Sequence, residues 1–175
     1  MRILVTGGVR SGKSGHAVSL LSAAEAVTFI APGRPADGSD PDWDARVARH
    51  RADRPTHWTT VETAEVAESL TAVDGGAVLL DCLGTWLTAH LDSGRLWEKH
   101  YRDMHSAVTE HTDILCESLS VTKDCVVVTN EVGLGVVPEH RSGMVFRDLL
   151  GIVNQRVASV CDEVHLVIAG RVLQI

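Results

Sequence analysis

The sequence predicts an α/β domain in which helices cover a mostly parallel central sheet. Short apolar runs recur along the chain and alternate with stretches of helical spacing, a rhythm typical of layered domains with right-handed crossovers. The runs are almost continuous in Val, Ile and Leu, as expected for parallel strands buried on both faces. The five predicted strands are Ile3 to Thr6, Val27 to Ile30, Ala77 to Asp81, Val126 to Thr129 and Val164 to Ile168.

Two of the intervening stretches show the spacing of helices that bury one face. The first buried stripe consists of Met104, Val108, Leu115 and Leu119, and the second of Leu149, Val153, Val157 and Cys161. A last short run, Arg171 to Ile175, follows Gly170. It predicts an antiparallel hairpin partner at the edge of the sheet.

The segment from Ala31 to Thr56 interrupts this alternation, because it holds Pro32, Pro35, Pro41 and Pro55, four of the five prolines. Such a composition indicates an exposed loop, with Asp42 as the N-cap of a short helix from Trp43 to about Arg51. Long insertions in compact domains are usually functional or mobile. Since no repeat or domain boundary is visible, we expect a single nucleotide-binding transferase domain over residues 1–175.

Composition narrows the class of protein. The chain has 16 basic and 23 acidic residues, a net charge of −7, and no basic cluster that would favour nucleic acid. The four cysteines form no C-x-x-C pair, and Cys82, Cys125 and Cys161 lie in or beside apolar runs. We therefore expect reduced core thiols at these three positions, and neither disulfides nor a structural zinc site. The apolar run near Met1 is shorter than a signal peptide requires, and no apolar run approaches membrane-spanning length. We therefore expect a cytoplasmic protein without membrane contact.

The most specific motif follows the first predicted strand. Residues 7–14 match G-x-x-x-x-G-K-[ST] in full and read Gly7, Gly8, Val9, Arg10, Ser11, Gly12, Lys13 and Ser14. In this motif backbone N–H groups surround phosphate oxygens, and the helix that begins near Lys13 adds its positive N-terminus. Lys13 is expected to neutralise the β- and γ-phosphates, and the Ser14 hydroxyl to coordinate Mg²⁺. The predicted fold is therefore P-loop NTPase-like, with a RecA-like sheet.

A P-loop usually works with a carboxylate at the end of a second strand, where it reaches the metal. Asp81 closes the run Ala77 to Asp81 and is the first candidate. Glu131, shortly after the run Val126 to Thr129, competes for the same role. Both lie where ligands gather in open α/β sheets, beyond the carboxyl ends of strands.

Several separated segments resemble the bifunctional adenosylcobinamide kinase and adenosylcobinamide-phosphate guanylyltransferase family. The resemblance runs nearly end to end and is most distinctive between Val128 and Arg156. Its motifs are Ile3 to Gly8 with Arg10 to Ser14; Arg46, His50, Arg54-Pro55, His57-Trp58 and Glu62; Leu79 to Leu83; Val128 to Gly133, Gly135, Val137 to Glu139, Arg141, Phe146 to Asp148, Gly151 and Asn154 to Arg156; and Asp162 to Val164 with Gly170.

The resemblance implies two reactions. An NTP phosphorylates the aminopropanol hydroxyl of adenosylcobinamide, and GTP then gives GMP to that phosphate through a GMP-histidine, yielding adenosylcobinamide-GDP and pyrophosphate. By position in the family motif, the histidine is His50. ATP and GTP are the implied substrates, Mg²⁺ the metal and a homotrimer the assembly. The implied GTP contacts are Gly7 to Ser14, then Ala31, Pro32, Gly33, Arg51, Ala52, Asp53, Arg54, Glu62 and Asp81.

The chemistry of a histidine agrees with this role, because a neutral imidazole is a competent nucleophile near neutral pH. Arg49, Arg51 and Arg54 lie close to His50 in sequence; cations there disfavour imidazolium and stabilise charge on phosphorus. Spacing alone favours an exposed helix histidine. His57 is a second candidate, although its position before Trp58 favours packing. Glu62 has three open roles, towards guanine N–H groups, ribose hydroxyls or metal.

Two other functions remain open at this point. One is a P-loop small-molecule kinase that lacks guanylyl transfer. The other is a GTP-binding regulatory module, which needs effector loops rather than a nucleophile. All three readings bind a nucleotide, so only covalent labelling and dependence on the acceptor separate them.

Overall fold

Seven strands form one sheet in the part of the chain that the computed structural model describes, residues 1–33, 38–52 and 54–175. The side chains of Trp43, Arg46, Arg49, His50 and Ala52 lie outside that description. The strands are β1 (Arg2–Gly7), β2 (Val27–Ala31), β3 (Thr59–Glu62), β4 (Ala77–Asp81), β5 (Cys125–Val128), β6 (Glu163–Ile168) and β7 (Arg171–Gln174).

The strand order across the sheet is β3-β2-β4-β5-β1-β6-β7. Every neighbouring pair is parallel except β6 and β7, which form an antiparallel hairpin at the edge. This confirms the mostly parallel sheet and the predicted edge strand. As a result, the carboxyl ends of β1 to β6 meet along one edge, where ligands bind in sheets of this kind.

Six helices connect these strands in the described residues. They are α1 (Lys13–Leu20), α2 (Pro41–Ala52), α3 (Val66–Ala72), α4 (Leu83–Ser93), α5 (Tyr101–Val121) and α6 (Arg141–Ala158). Alternate residues of the strands face opposite sides, as their period of two requires. Leu4 therefore packs with α3 to α6, whereas its neighbours Ile3 and Val5 pack with α1 on the other face.

The predicted helical stripes agree with the observed core in all but one position. Met104, Val108, Leu115 and Leu119 are buried on α5, and Leu149, Val153 and Val157 are buried on α6. The prediction for Cys161 was wrong, because α6 ends at Ala158 and Cys161 lies beyond it, half-buried. All four cysteines are free thiols; Cys125 is buried and the other three are half-buried.

The observed start of α2 differs from the start predicted from the sequence. The helix begins at Pro41 rather than Trp43, so Asp42 lies in its first turn instead of capping it. The capping contact comes from Asp40, whose Oδ1 accepts a hydrogen bond from the Asp42 N–H at 3.1 Å. Proline suits the first helical position because its missing N–H has no partner there. Strand β3 was absent from the five predicted apolar runs, since three of the four residues in its sequence, Thr-Thr-Val-Glu, are polar.

Candidate active site at the carboxyl edge of the sheet

The P-loop follows β1 directly, and its backbone requires glycine at two positions. A Cβ on Gly7 would lie 2.4 Å from the Val167 carbonyl oxygen, which is closer than any side chain can approach. Gly12 has a φ of +97° where it precedes α1, a conformation that favours glycine. The loop therefore packs against β6 and turns sharply into the helix, which directs the helix N-terminus towards the loop interior.

Backbone hydrogen bonds from two later segments hold this loop. The Gly170 N–H, in the β6–β7 turn, donates to the Ser11 carbonyl oxygen at 2.8 Å. The Glu131 N–H, just after β5, donates to the Gly7 carbonyl oxygen at 3.1 Å. The shape of the cradle is thus fixed by the sheet without any ligand, which is what a preorganised anion site requires.

Polar groups inside the loop are placed for an anion. The Lys13 ammonium donates to the Gly8 carbonyl oxygen at 3.1 Å, so it lies across the loop. The Ser11 side chain is 8% exposed, and its hydroxyl oxygen has no hydrogen-bond partner in the described part of the chain. Val9 is 86% exposed at the tip of the loop, where only its backbone can face phosphate.

The other predicted contacts lie in a row along the sheet edge. Asp81 ends β4, two strands from β1, and Ala31 ends β2, three strands away, with Pro32 and Gly33 directly after it. Glu62 ends β3, four strands from β1. At about 4.8 Å per strand, Glu62 lies roughly 19 Å from the P-loop strand. That length is comparable to an extended nucleoside triphosphate, so a nucleotide touching both ends must lie along the edge.

At the far end of this row, Glu62 is paired with an arginine. Arg51 donates from Nε to one carboxylate oxygen at 2.8 Å and from an Nη to the other at 2.6 Å. This hydrogen-bonded pairing with Arg51 holds the pKa of Glu62 below its usual value, although burial opposes the shift. Glu62 is therefore ionised at neutral pH and keeps lone pairs for a further donor.

Arg54 lies beside this pair but is more deeply buried and forms no hydrogen bond with Glu62. Its side chain is only 10% exposed, and its nearest guanidinium nitrogen is 3.9 Å from Glu62, too far for a hydrogen bond. Nε and one Nη are buried without a hydrogen-bond partner among the described residues. Burial lowers the pKa of Arg54, while Glu62 and Asp81 oppose that shift. Buried donors without partners are costly, and an incoming anion or carbonyl would satisfy them.

The two candidate metal carboxylates have different surroundings. Glu131 accepts a hydrogen bond from the Gly133 N–H at 2.6 Å, which directs one of its oxygens to its own loop. Asp81 is half-buried at the end of β4 and interacts electrostatically with Arg54. No group of three or more His, Cys, Asp or Glu is arranged to hold a metal among the residues described. A nucleotide-bound Mg²⁺ needs only one or two protein oxygens, which Ser14 and Asp81 can supply.

The predicted nucleophile cannot be placed in this geometry. The backbone of residue 50 belongs to α2, but the His50 side chain and residue Asp53 lie outside the described part of the structure, as does the Ala52 side chain. The competing histidine, His57, is exposed, and its ring centroid lies 6.4 Å from that of Trp58 in an edge-to-face contact.

Sequence reasoning missed two residues of this region. Phe29 on β2 carries the Arg54 guanidinium carbon 4.0 Å from its ring centroid. Asn130 directly precedes Glu131, just after β5. The resemblance covered Asn130 without giving it a role, and the strand pattern gave no sign of the Phe29 contact, because Phe29 reads as an ordinary core residue.

The parallel sheet, the glycine loop after β1 and the carboxylate on a second strand together define a P-loop nucleotide-binding enzyme. Comparison with known families makes the assignment particular: a family model described as cobinamide kinase / cobinamide phosphate guanyltransferase matches residues 3–175. The chain belongs to this family, and it is a bifunctional kinase and guanylyltransferase of cobalamin biosynthesis.

Curated relatives agree over nearly the whole length. The chain is 39% identical over 183 residues to the bifunctional adenosylcobalamin biosynthesis protein CobU of Salmonella typhimurium LT2, covering 97% of both chains. It is also 39% identical over 180 residues to the Escherichia coli K12 protein of that name, again with 97% of both covered. The related CobP protein of Pseudomonas aeruginosa is 35% identical over 175 residues, covering 97% of this chain and 94% of the relative.

A solved structure supports the fold. An ATPase from the type III secretion system of pathogenic bacteria superposes with a TM-score of 0.57 at 16% identity, covering 94% of this chain and half of the other. At that identity the likeness concerns the fold alone. Every helix in residues 1–33, 38–52 and 54–175 is too short or too polar to cross a bilayer.

Proposed function

We propose that the P-loop serves two successive phosphorus transfers in this enzyme, first from the γ-phosphate of ATP or GTP and then from the α-phosphate of GTP. The observation that carries the proposal is a preformed cradle whose lysine and glycines follow β1, at one end of the row of predicted GTP contacts. Because one nucleotide spans that row, the same cradle holds the terminal phosphate in both reactions.

In the kinase step the hydroxyl oxygen of the aminopropanol arm of adenosylcobinamide forms a bond to the γ-phosphorus. The bond from that phosphorus to the β–γ bridging oxygen breaks, the nucleoside diphosphate leaves and the hydroxyl proton is released. Lys13 and the N-terminus of α1 stabilise the charge on the leaving phosphate. Ser14 and Asp81 are the residues that would hold Mg²⁺, which would supply further neutralisation of the phosphate charge.

In the transferase step a ring nitrogen of His50 forms a bond to the α-phosphorus of GTP, and pyrophosphate leaves. The phosphate oxygen of adenosylcobinamide phosphate then displaces the histidine, which yields adenosylcobinamide-GDP. Arg54 supplies buried donors towards the nucleotide, and Arg51 and Glu62 fix the end of β3 at which the guanosine lies. Backbone groups of residues 31–33 and 51–53 complete the contact, although Pro32 has no N–H to donate.

Covalent labelling tests this function most directly. Incubation with α-³²P-GTP and Mg²⁺, without cobinamide, is expected to add one GMP to the protein, and peptide mapping should place it on His50. His50→Ala should lose the label and keep measurable cobinamide phosphorylation, and His57→Ala should keep both. A label on His57 instead would identify His57 as the nucleophile. Turnover of cobinamide without any label would indicate a kinase alone, and slow GTP hydrolysis independent of cobinamide would indicate a regulatory module.

The assembly and compartment form part of the same proposal. The enzyme is one domain that works as a homotrimer in the cytoplasm, without nucleic acid or membrane partners. Sedimentation velocity at micromolar concentration measures the assembly, and a single monomeric species would contradict it.

A further inference from the structure

Two histidines and a glutamate form a chain of hydrogen bonds between β6 and the helix that follows the P-loop. On β6, Nε2 of His165 lies 2.9 Å from a carboxylate oxygen of Glu163. Nδ1 of the same ring lies 2.9 Å from Nε2 of His16 on α1. His165 is 6% exposed, so the middle of the chain is shielded from water. None of the three residues belongs to the nucleotide contacts predicted from the sequence.

The direction of these hydrogen bonds follows from the chemistry of the groups. A carboxylate can only accept, so Nε2 of His165 carries the proton and donates it to Glu163. In a neutral imidazole the other nitrogen is then an acceptor, so Nδ1 of His165 accepts a hydrogen bond from Nε2 of His16. Glu163 therefore selects the tautomer of His165 that can bind His16.

Helix α1 has little apolar surface to fix its position. It is eight residues long, and within residues 13–20, all of which the structure describes, Ala17 alone is buried. Val18 and Leu20 pack against the core but are only half-buried. Gly15 lies in the helix, where glycine is a poor helix former. Because helices of this length are not stable by propensity alone, α1 depends on specific contacts for its position.

His16 lies where it can fix the phosphate-binding end of this helix. Its backbone N–H donates to the Gly12 carbonyl oxygen at 3.0 Å and so closes the first turn, which contains Lys13. On the other side of Lys13, the loop is held by the hydrogen bond from Gly170 to Ser11, at 2.8 Å. Strand β6 and the turn after it therefore hold the chain on both sides of Lys13.

The geometry points to His165 and Glu163 as positioning residues for the phosphate site. Through His16 they hold the first turn of α1, and with it the Lys13 ammonium and the helix N–H groups, where a triphosphate binds. The inference rests on the proposed function, because it takes the P-loop as the triphosphate site. Loss of the chain should therefore weaken contacts to the β- and γ-phosphates and leave those to the guanosine, at the β3 end of the sheet edge, unchanged.

The ratio of the Kd for GMP to the Kd for α,β-methylene-GTP measures this selectivity. The analogue adds the two outer phosphates, and its α–β linkage cannot be cleaved by a histidine, so binding is measured without covalent labelling. His165→Phe keeps a ring of similar size without its nitrogens, and His16→Leu removes the donor. Each should raise the Kd for the analogue about tenfold and change the Kd for GMP by less than about twofold in calorimetric titrations.

Conservative variants separate the hydrogen bond from packing. His165→Asn places a carbonyl oxygen near the former Nδ1, and His16→Gln places an amide N–H near the former Nε2. Both should keep the ratio within about threefold of wild type. His90→Phe is the matched control, because His90 on α4 is also half-buried and its ring centroid lies 4.5 Å from that of another histidine, His111. It should leave the ratio unchanged.

The outcomes separate failure of the inference from failure of the function. A wild-type ratio in His165→Phe, or an equal loss of affinity for both nucleotides, would refute the positioning role and leave the proposed function intact. His165→Asn and His16→Gln variants as weak as their apolar counterparts would refute it as well. If wild type bound the analogue no more tightly than GMP, the P-loop would not be the triphosphate site, and the proposed function would fail too.

Discussion

The guanidinium carbon of Arg54 lies 4.0 Å from the centroid of the Phe29 ring, over a core strand of the sheet. A cation in this position gains from the ring but loses most of its water. The ion pair between Arg54 and Glu62 is long, and two guanidinium nitrogens of Arg54 lack hydrogen-bond partners among the described residues. Without ligand, Arg54 is therefore a buried charge that is only partly compensated.

We therefore expect Arg54→Met to weaken GTP binding without lowering the free energy of unfolding. Methionine keeps the apolar stem over Phe29 and removes the unpaired donors, so the free energy of unfolding without nucleotide should stay constant or rise by about 1 kcal/mol. The Kd for GTP should rise about tenfold or more. Chemical denaturation and calorimetric titration measure the two effects, and a variant that is less stable but binds GTP normally would refute the assigned role.

Lys13→Ala is expected to weaken both reactions. Loss of the one ammonium that lies across the cradle should lower kcat by about a hundredfold for cobinamide phosphorylation and for GMP labelling alike. Lys123→Ala, an exposed lysine far along the chain, is the control for the lost charge. Guanylylation that survives in Lys13→Ala would require a second nucleotide site.

Two adjacent glycines offer a matched test of backbone packing. Gly75 and Gly76 have φ values of +78° and +77°, so alanine is strained at either position. A Cβ at Gly75 would meet open space, whereas one at Gly76 would lie 2.8 Å from the Ala26 carbonyl oxygen. That oxygen accepts a hydrogen bond from the Ala77 N–H at the start of β4.

We therefore expect Gly75→Ala to cost about 1 kcal/mol of the free energy of unfolding, and Gly76→Ala about 3 kcal/mol. Urea denaturation measures both. Equal losses would mean that the contact with Ala26 relaxes without cost. Both variants should keep wild-type GMP labelling at low temperature, because this turn lies at the opposite edge of the sheet from the P-loop.

The stability of the enzyme should fall in mildly acidic solution through His90. Burial lowers the pKa of His90 to about 4, and His111, whose ring centroid is 4.5 Å away, adds to the shift. Trp86 covers another edge of the ring. Between pH 6.5 and about 4 the unfolded chain takes up a proton that the folded chain excludes, so the free energy of unfolding decreases as the pH falls.

Allowing for the partial exposure of His90, this contribution is about 1 to 2 kcal/mol, complete above pH 6.5 and lost near pH 4. His90→Phe keeps the edge contact with Trp86 and cannot titrate. Its unfolding free energy should therefore change less between pH 7 and pH 5 than that of wild type. Parallel pH profiles for the two proteins would contradict this explanation.

Strands and P-loop were predictable because each is encoded locally. Continuous Val and Ile runs mark buried parallel strands, and the spacing from Gly7 to Ser14 marks the cradle. Strand β3 was not among the predicted apolar runs, and only a strand start near Trp58 was expected, since its edge position allows the polar residues of Thr59 to Glu62. The predicted start of α2 was two residues too late, because Asp40, Asp42 and Asp44 each suit an N-cap by composition.

The site was less predictable, since it depends on contacts between distant residues. The pairing of Arg51 with Glu62 follows from the position of β3 beside β2, which the strand pattern does not specify. The Asn154 side chain on α6 donates a hydrogen bond at 3.1 Å to the carbonyl oxygen of Asn130, 24 positions earlier in the chain. A polar residue after a strand reads as a turn residue until its neighbours in space are known.

The hydrogen bond from Gly170 to Ser11 joins residues about 160 positions apart. During synthesis the first glycines emerge early, but this contact can form only after the hairpin of β6 and β7 has left the ribosome. A nascent chain should consequently acquire affinity for triphosphates late and abruptly. Prematurely terminated chains would therefore lack bound nucleotide, and cellular quality control would degrade them without its stabilising effect.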